Sequence, residues 1–188
     1  MTINNAQHLV VEHTKQWLAQ VIIGFNFCPF AKKEFVNNTI HYHVSVQKKL
    51  KDALLELIEQ CVYIENNTHI ETGLIIFQQG FKNFEQYLDL VDYANELLVE
   101  QNFEGVFQLA SFHPDYCFAD CDFDDAANFT NRSPYPTLHI IREASMEKVL
   151  SVYKNPEQIP EDNIALAQQK GGDYFKQILM SIKNTGEN

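Results

Sequence analysis

The chain has 188 residues, enough for one domain with a sizeable buried core. Hydrophobic residues make up 45% and charged residues 21%, with 14 Phe and 8 Tyr, which excludes a disordered chain; 7 Gly and 6 Pro exclude a collagen-like or linker-like one. The formal net charge of −11 gives no counterion-release drive toward nucleic acid and repels anionic lipid, so neither is expected as a partner.

Residues 1–5 lack the positive start and apolar stretch of a secretory signal. No apolar run approaches the ~18 residues of a membrane span. Four cysteines, Cys28, Cys61, Cys117 and Cys121, are too few and too scattered for a disulfide scaffold, so a reduced cytoplasm is the expected setting.

Ala6, Leu9, Val10, His13, Trp17, Leu18 and Val21 recur at three- and four-residue steps and predict a helix that stops near Gly24. Cys28 precedes Pro29, which disfavours helical geometry and places the thiol on an extended turn. Ile40, Tyr42, Val44 and Val46 alternate with polar residues, the period of a strand. A helical stripe through Leu50, Leu57 and Cys61 follows, which makes Cys61 an inert core thiol. Residues 74–77, apolar on both faces, suit a central buried strand. Phe84, Tyr87, Val91, Ala94 and Leu98 mark another amphipathic helix, and residues 106–112 a third strand.

Residues 113–136 lose all periodicity, and at ~24 residues this connection exceeds the usual length. Its aromatic residues argue that it is packed down. Residues 137–141 resume as a fourth strand. Ser145 is a candidate cap for a short helix over 146–152. One last helix carries Ile164, Phe175 and Ile182, with a kink or close contact expected at Gly171-Gly172. The alternation of strands and helices predicts one α/β domain over 1–188, with a mixed, mostly parallel sheet of about four strands.

Chemistry is expected where the third strand ends, because ligands gather at the carboxyl ends of strands in α/β sheets. His113 there can exchange a proton near neutrality, and Asp115 can fix its tautomer; the plainer role is a histidine that shapes the loop. Cys28 is a second candidate, a nucleophile if Lys32 or Lys33 lowers its pKa and otherwise a small apolar residue in a Phe-rich turn. Arg132, Ser133 and Tyr135 lie in a proline-stiffened turn suited to holding a carboxylate or phosphate. His139 and Arg142 fall on opposite strand faces, so they cannot share a pocket without a bulge or a strand end. His113, Cys117 and Cys121 lack the Cys-x2-Cys spacing of a structural zinc site, and no metal is assigned; cofactor patterns are absent and the cofactor is left unknown.

Cys28-Pro29-Phe30-Ala31, Phe112-His113-Pro114-Asp115-Tyr116 and the run from Asn131 to Glu143 together resemble a family of small bacterial proteins classed as a domain of unknown function. The resemblance spans nearly the whole chain; Cys117 and Cys121 depart from its pattern. It implies that Cys28, His113, Arg132, His139 and Arg142 form a shared site. The expectation is an enzyme acting on a small anionic metabolite, with Cys28 as nucleophile, His113 as base and Arg132 or Arg142 as anion clamp. Two alternatives stand beside it. In one, the protein is a non-catalytic module binding a small molecule or a partner. In the other, the motifs pin the long loop, with Arg132 and Arg142 paired to carboxylates such as Asp125 and Glu143.

Overall fold

The first apolar stripe folds as helix α1 (Asn5–Trp17) and runs on through a π-helical turn, Leu18–Ile23, burying Val10, Trp17, Leu18, Val21 and Ile22. A Cβ on Gly24 would lie 2.3 Å from the Gln20 carbonyl oxygen, so only glycine can end this widened turn. The structure is a computed structural model describing residues 5–186. The chain then forms α2 (Ala31–Val36), β1 (Ile40–Ser45), α3 (Leu50–Asn66), β2 (Thr72–Phe77), α4 (Phe84–Glu100) and β3 (Phe107–Phe112). A 3-10 turn over Ala126–Thr130 interrupts the long connection before β4 (Thr137–Arg142). Helices α5 (Glu143–Leu150), α6 (Ile159–Lys170) and α7 (Gly172–Lys183) complete the described chain.

The strands order as β1-β2-β4-β3. β1 pairs with β2 in parallel, but β4 pairs antiparallel with both β2 and β3, so the sheet is mixed and the mostly parallel expectation is corrected. The cause lies in the connection. Helical crossovers bring β1, β2 and β3 round in one direction, whereas the long loop delivers β4 from the opposite end and inserts it between β2 and β3. β2 is buried along its whole length, as its unbroken apolar run requires.

Each face of the sheet carries its own core. On one, Ile75, Phe77, Leu138 and Ile140 meet Leu57, Cys61 and Ile64 of α3 and Tyr87, Leu90 and Ala94 of α4. On the other, Leu74 and Ile76 meet Val10 and Trp17 of α1, Val21 and Ile22 of its π-helical extension, and Phe175 and Ile182 of α7. Cys61 is fully buried and its thiol is pushed up to about 12 by desolvation, so it is inert.

One element was not anticipated and two local expectations are corrected. α2 carries no buried residue and left no stripe to read. α5 begins at Glu143 rather than 146, with no side-chain cap; the Ser145 hydroxyl instead donates to Glu71 Oε2 at 2.5 Å. The last helix is two, broken at Gly171, whose φ of +84° suits glycine. A Cβ on Gly172 would touch Phe129, so the sequence signal marked both a break and a close packing contact.

Candidate functional site

The face of the sheet that meets α1 is not filled everywhere. A cavity of about 200 Å³ remains between the sheet, α1 and its π-helical extension, α2 with the turn before it, and α5. The sheet contributes Ile40, Thr72, Leu74, Ala110, Phe112, His139 and Ile141. Trp17, Leu18 and Ile22 close one side; Cys28, Phe30, Ala31 and Glu34 close a second; Ser145, Met146 and Val149 of α5 close a third, with Glu71 just before β2. Ile40 and Thr72 open their strands, so the cavity reaches the amino ends of β1 and β2, whereas His113 lies just past the carboxyl end of β3.

His139 is the polar centre of this apolar wall. It sits on β4, between β2 and β3, on the same face as Ile141 and Thr137. The Thr72 hydroxyl donates to the Ile140 carbonyl at 2.6 Å. Its single proton is thereby used, so the 2.5 Å contact between Thr72 Oγ1 and His139 Nε2 has the imidazole N–H as donor. That fixes the neutral Nε2–H tautomer and leaves Nδ1 as an acceptor with no hydrogen-bond partner among the described residues. Desolvation lowers the His139 pKa to about 4.

Cys28 shares the cavity with His139. Burial pushes its thiol up, an effect only partly offset by the backbone N–H groups of Phe30 and Ala31. Of the five residues the resemblance groups, Cys28 and His139 line this cavity, as a thiol shifted toward its neutral form and a weakly basic imidazole.

The remaining predicted residues lie elsewhere. His113 is fully buried against the rings of Phe84 and Tyr87. Its Nε2–H donates to the Phe81 carbonyl at 3.0 Å and its Nδ1 accepts from the Asp115 backbone N–H at 3.0 Å, so both nitrogens shape the loop. Burial lowers its pKa. Arg132 is 4% exposed, donating from Nε to the Tyr116 carbonyl at 3.0 Å and from Nη2 to the Phe123 carbonyl at 2.6 Å. Its guanidinium lies 4.6 Å from the Phe123 ring centre and 4.7 Å from that of Phe129. The Trp17 indole N–H donates to the Arg132 carbonyl at 2.9 Å, tying this loop to α1.

The Ser133 hydroxyl donates to the Tyr135 carbonyl at 2.7 Å. The Tyr135 hydroxyl meets His13 Nδ1 at 2.8 Å; His13 Nε2 reaches the Thr185 carbonyl at 2.8 Å, so the Nε2–H donates there and Nδ1 accepts from the phenol. Arg142 points to the opposite sheet face from His139, as the period of a strand requires. It donates from Nε to the Ile70 carbonyl at 2.8 Å and from Nη2 to the carbonyls of Ile64 and Asn67 at the end of α3, where a cation complements the helix dipole. Both arginines are thus satisfied by backbone carbonyls rather than by the carboxylates of Asp125 and Glu143. Cys117 donates its S–H toward the Cys121 carbonyl at 3.4 Å, and among the described residues no three His, Cys, Asp or Glu side chains are grouped to hold a metal ion.

Thr72, Glu34 and Glu71 were not singled out by sequence. Thr72 and His139 meet diagonally across the β2–β4 pairing, where Leu74 opposes His139, a register that no local pattern encodes. No described helix is long and apolar enough to cross a membrane. Neither a curated protein nor a solved structure matches the chain. The family model described as "Protein of unknown function (DUF1415)" matches residues 9–177, and the chain belongs to that family.

Proposed function

We propose that the protein is a non-catalytic module that binds a small, largely apolar molecule in the cavity, while the arginine motifs hold the long loop against the sheet. The observation that carries this reading is the cavity itself: largely apolar walls with a few polar residues, among them a neutral histidine whose Nδ1 has no partner among the described residues. Apolar walls with a few placed polar groups are the usual composition of a ligand site. A volume of about 200 Å³ suits a molecule somewhat larger than benzene, since an engineered cavity of roughly 150 Å³ holds benzene.

Three features weigh against an enzyme acting on an anion. The imidazole, with its pKa near 4, is a poor base at neutral pH. The Cys28 thiol is displaced away from the thiolate. Neither Arg nor Lys is among the lining residues, and both predicted clamps, Arg132 and Arg142, are spent on backbone carbonyls.

Isothermal titration with phenethyl alcohol, a ring carrying one hydroxyl donor, tests the reading. Saturable one-to-one binding is expected in the native protein, and its loss in Ala110→Phe, which fills the cavity. Native-level binding in Ala110→Phe with its fold intact by circular dichroism would defeat the proposal.

A further inference from the structure

Hydrogen-bonding capacity around the cavity is one-sided. The Trp17 indole N–H is given to the Arg132 carbonyl, the Thr72 hydroxyl proton to the Ile140 carbonyl, the His139 Nε2–H to Thr72, and the Ser145 hydroxyl proton to Glu71. Every nitrogen or hydroxyl donor on the lining side chains is therefore engaged within the protein, and only the weak S–H of Cys28 remains. The acceptors are not used up in this way. Among the described residues His139 Nδ1 takes no hydrogen bond, and Glu71 accepts through Oε2 alone. Both oxygens of Glu34 are engaged, one by the Thr39 hydroxyl at 2.5 Å and the other by the exposed Lys33 ammonium at 3.0 Å, but each carboxylate oxygen can accept a second hydrogen bond.

A guest that brings acceptors to such a wall loses its hydration with nothing in return. A guest that brings donors recovers it. Glu34 and Glu71 are among the residues that bound the cavity, against one exposed lysine outside it, which adds a preference for positive charge, and a charge-assisted bond to a carboxylate is about twice as strong as a neutral one.

Resting on the small-molecule reading above, we infer that the cavity selects an apolar amine: a compact hydrocarbon or aromatic body against Leu74 and Ile141, with its ammonium group directed to Glu71 and Glu34 and to the free nitrogen of His139. The choice follows from three features, the apolar cavity, the imidazole nitrogen with no partner among the described residues, and the excess of carboxylate over cation.

Phenethylamine, phenethyl alcohol and phenylacetate share one ring and differ only in the polar end, so calorimetric titration of the full chain at pH 7 separates the possibilities. The amine is expected to bind at least tenfold more tightly than the alcohol, with phenylacetate the weakest of the three. Glu71→Gln and Glu34→Gln should each shrink the ratio of amine to alcohol affinity. An alcohol that equals or exceeds the amine, a preference for phenylacetate, or an unchanged ratio in both variants would overturn the amine assignment while the small-molecule reading stands. Failure of all three probes to bind would remove both.

Discussion

Replacing Arg132 by Met keeps a long side chain between Phe123 and Phe129 but removes the guanidinium fork. The Tyr116 and Phe123 carbonyls then lose donors at 3.0 and 2.6 Å. An unsatisfied buried acceptor costs about 1–3 kcal/mol, and the lost cation–π contact adds roughly 0.5–1 kcal/mol, part of it restored by the thioether against the rings. Because Phe123 itself is 55% exposed, its carbonyl is the cheaper of the two to rehydrate. The net expectation is a loss of about 2–4 kcal/mol, a large share of the 5–15 kcal/mol typical of a domain. Urea unfolding read by Trp17 fluorescence measures it, with the midpoint falling and the slope unchanged. Arg132→Lys should recover less than half, because an ammonium cannot serve both carbonyls in the guanidinium's fork geometry. A loss below about 1 kcal/mol in Arg132→Met would refute the loop-clamp assignment and return Arg132 to the pool of ligand-binding candidates.

Other expectations follow from the same contacts. Arg142→Met should cost about 2 kcal/mol in urea unfolding, since the carbonyls of Ile64, Asn67 and Ile70 lose their donor; an unchanged midpoint would contradict the capping of α3. His139, held near 4 against an ordinary 6.5, makes stability complete above pH 6.5 and progressively lost down to about pH 4, by about 3 kcal/mol at most. His113, also lowered, adds to the same acid-side loss, while Glu56, lowered below 4.5 by its bonds to His43 and Ser45, contributes only further into acid. His139→Gln should therefore flatten the decline between pH 6.5 and 5 relative to the native chain; parallel curves would argue against a neutral, desolvated imidazole. Alkylation by iodoacetamide should be slow at Cys28 at pH 7 and accelerate only in alkali; rapid reaction at neutral pH would reopen the catalytic reading.

How far the sequence could be read depends on how local each determinant is. All four strands and the helices with buried stripes were legible because period two, an unbroken apolar run and period 3.6 are each written residue by residue, as in Ile40, Tyr42 and Val44, in residues 74–77, and in Tyr87, Val91, Ala94 and Leu98. The direction of β4 was not, because it is set by the path of residues 113–136 and not by any pattern in Thr137–Arg142. Gly171-Gly172 announced a disturbance but not its size: a kink and a full break differ only in the φ that Gly171 adopts.

The site divides the same way. The alternation along β4 correctly separated His139 from Arg142, and the resemblance placed Cys28 and His139 in one group. It grouped His113 and Arg132 with them, yet these serve the loop, because a buried polar side chain that fixes a backbone turn and one that holds a ligand look alike in a sequence. Glu34 and Glu71 stand in segments of ordinary composition, and only the fold brings them to the cavity.

The central claim is that His139 is a neutral Nε2–H imidazole whose Nδ1 waits for a donor inside an apolar cavity. Nitrogen-15 NMR of the His139 ring reads this directly. The account predicts an unprotonated Nδ1 that holds its shift from pH 7.5 to 5.5 and moves on addition of phenethylamine, with Nε2 nearly constant. An imidazole that titrates near 6.5, or an Nδ1 resonance unmoved by saturating amine and alcohol alike, would contradict it.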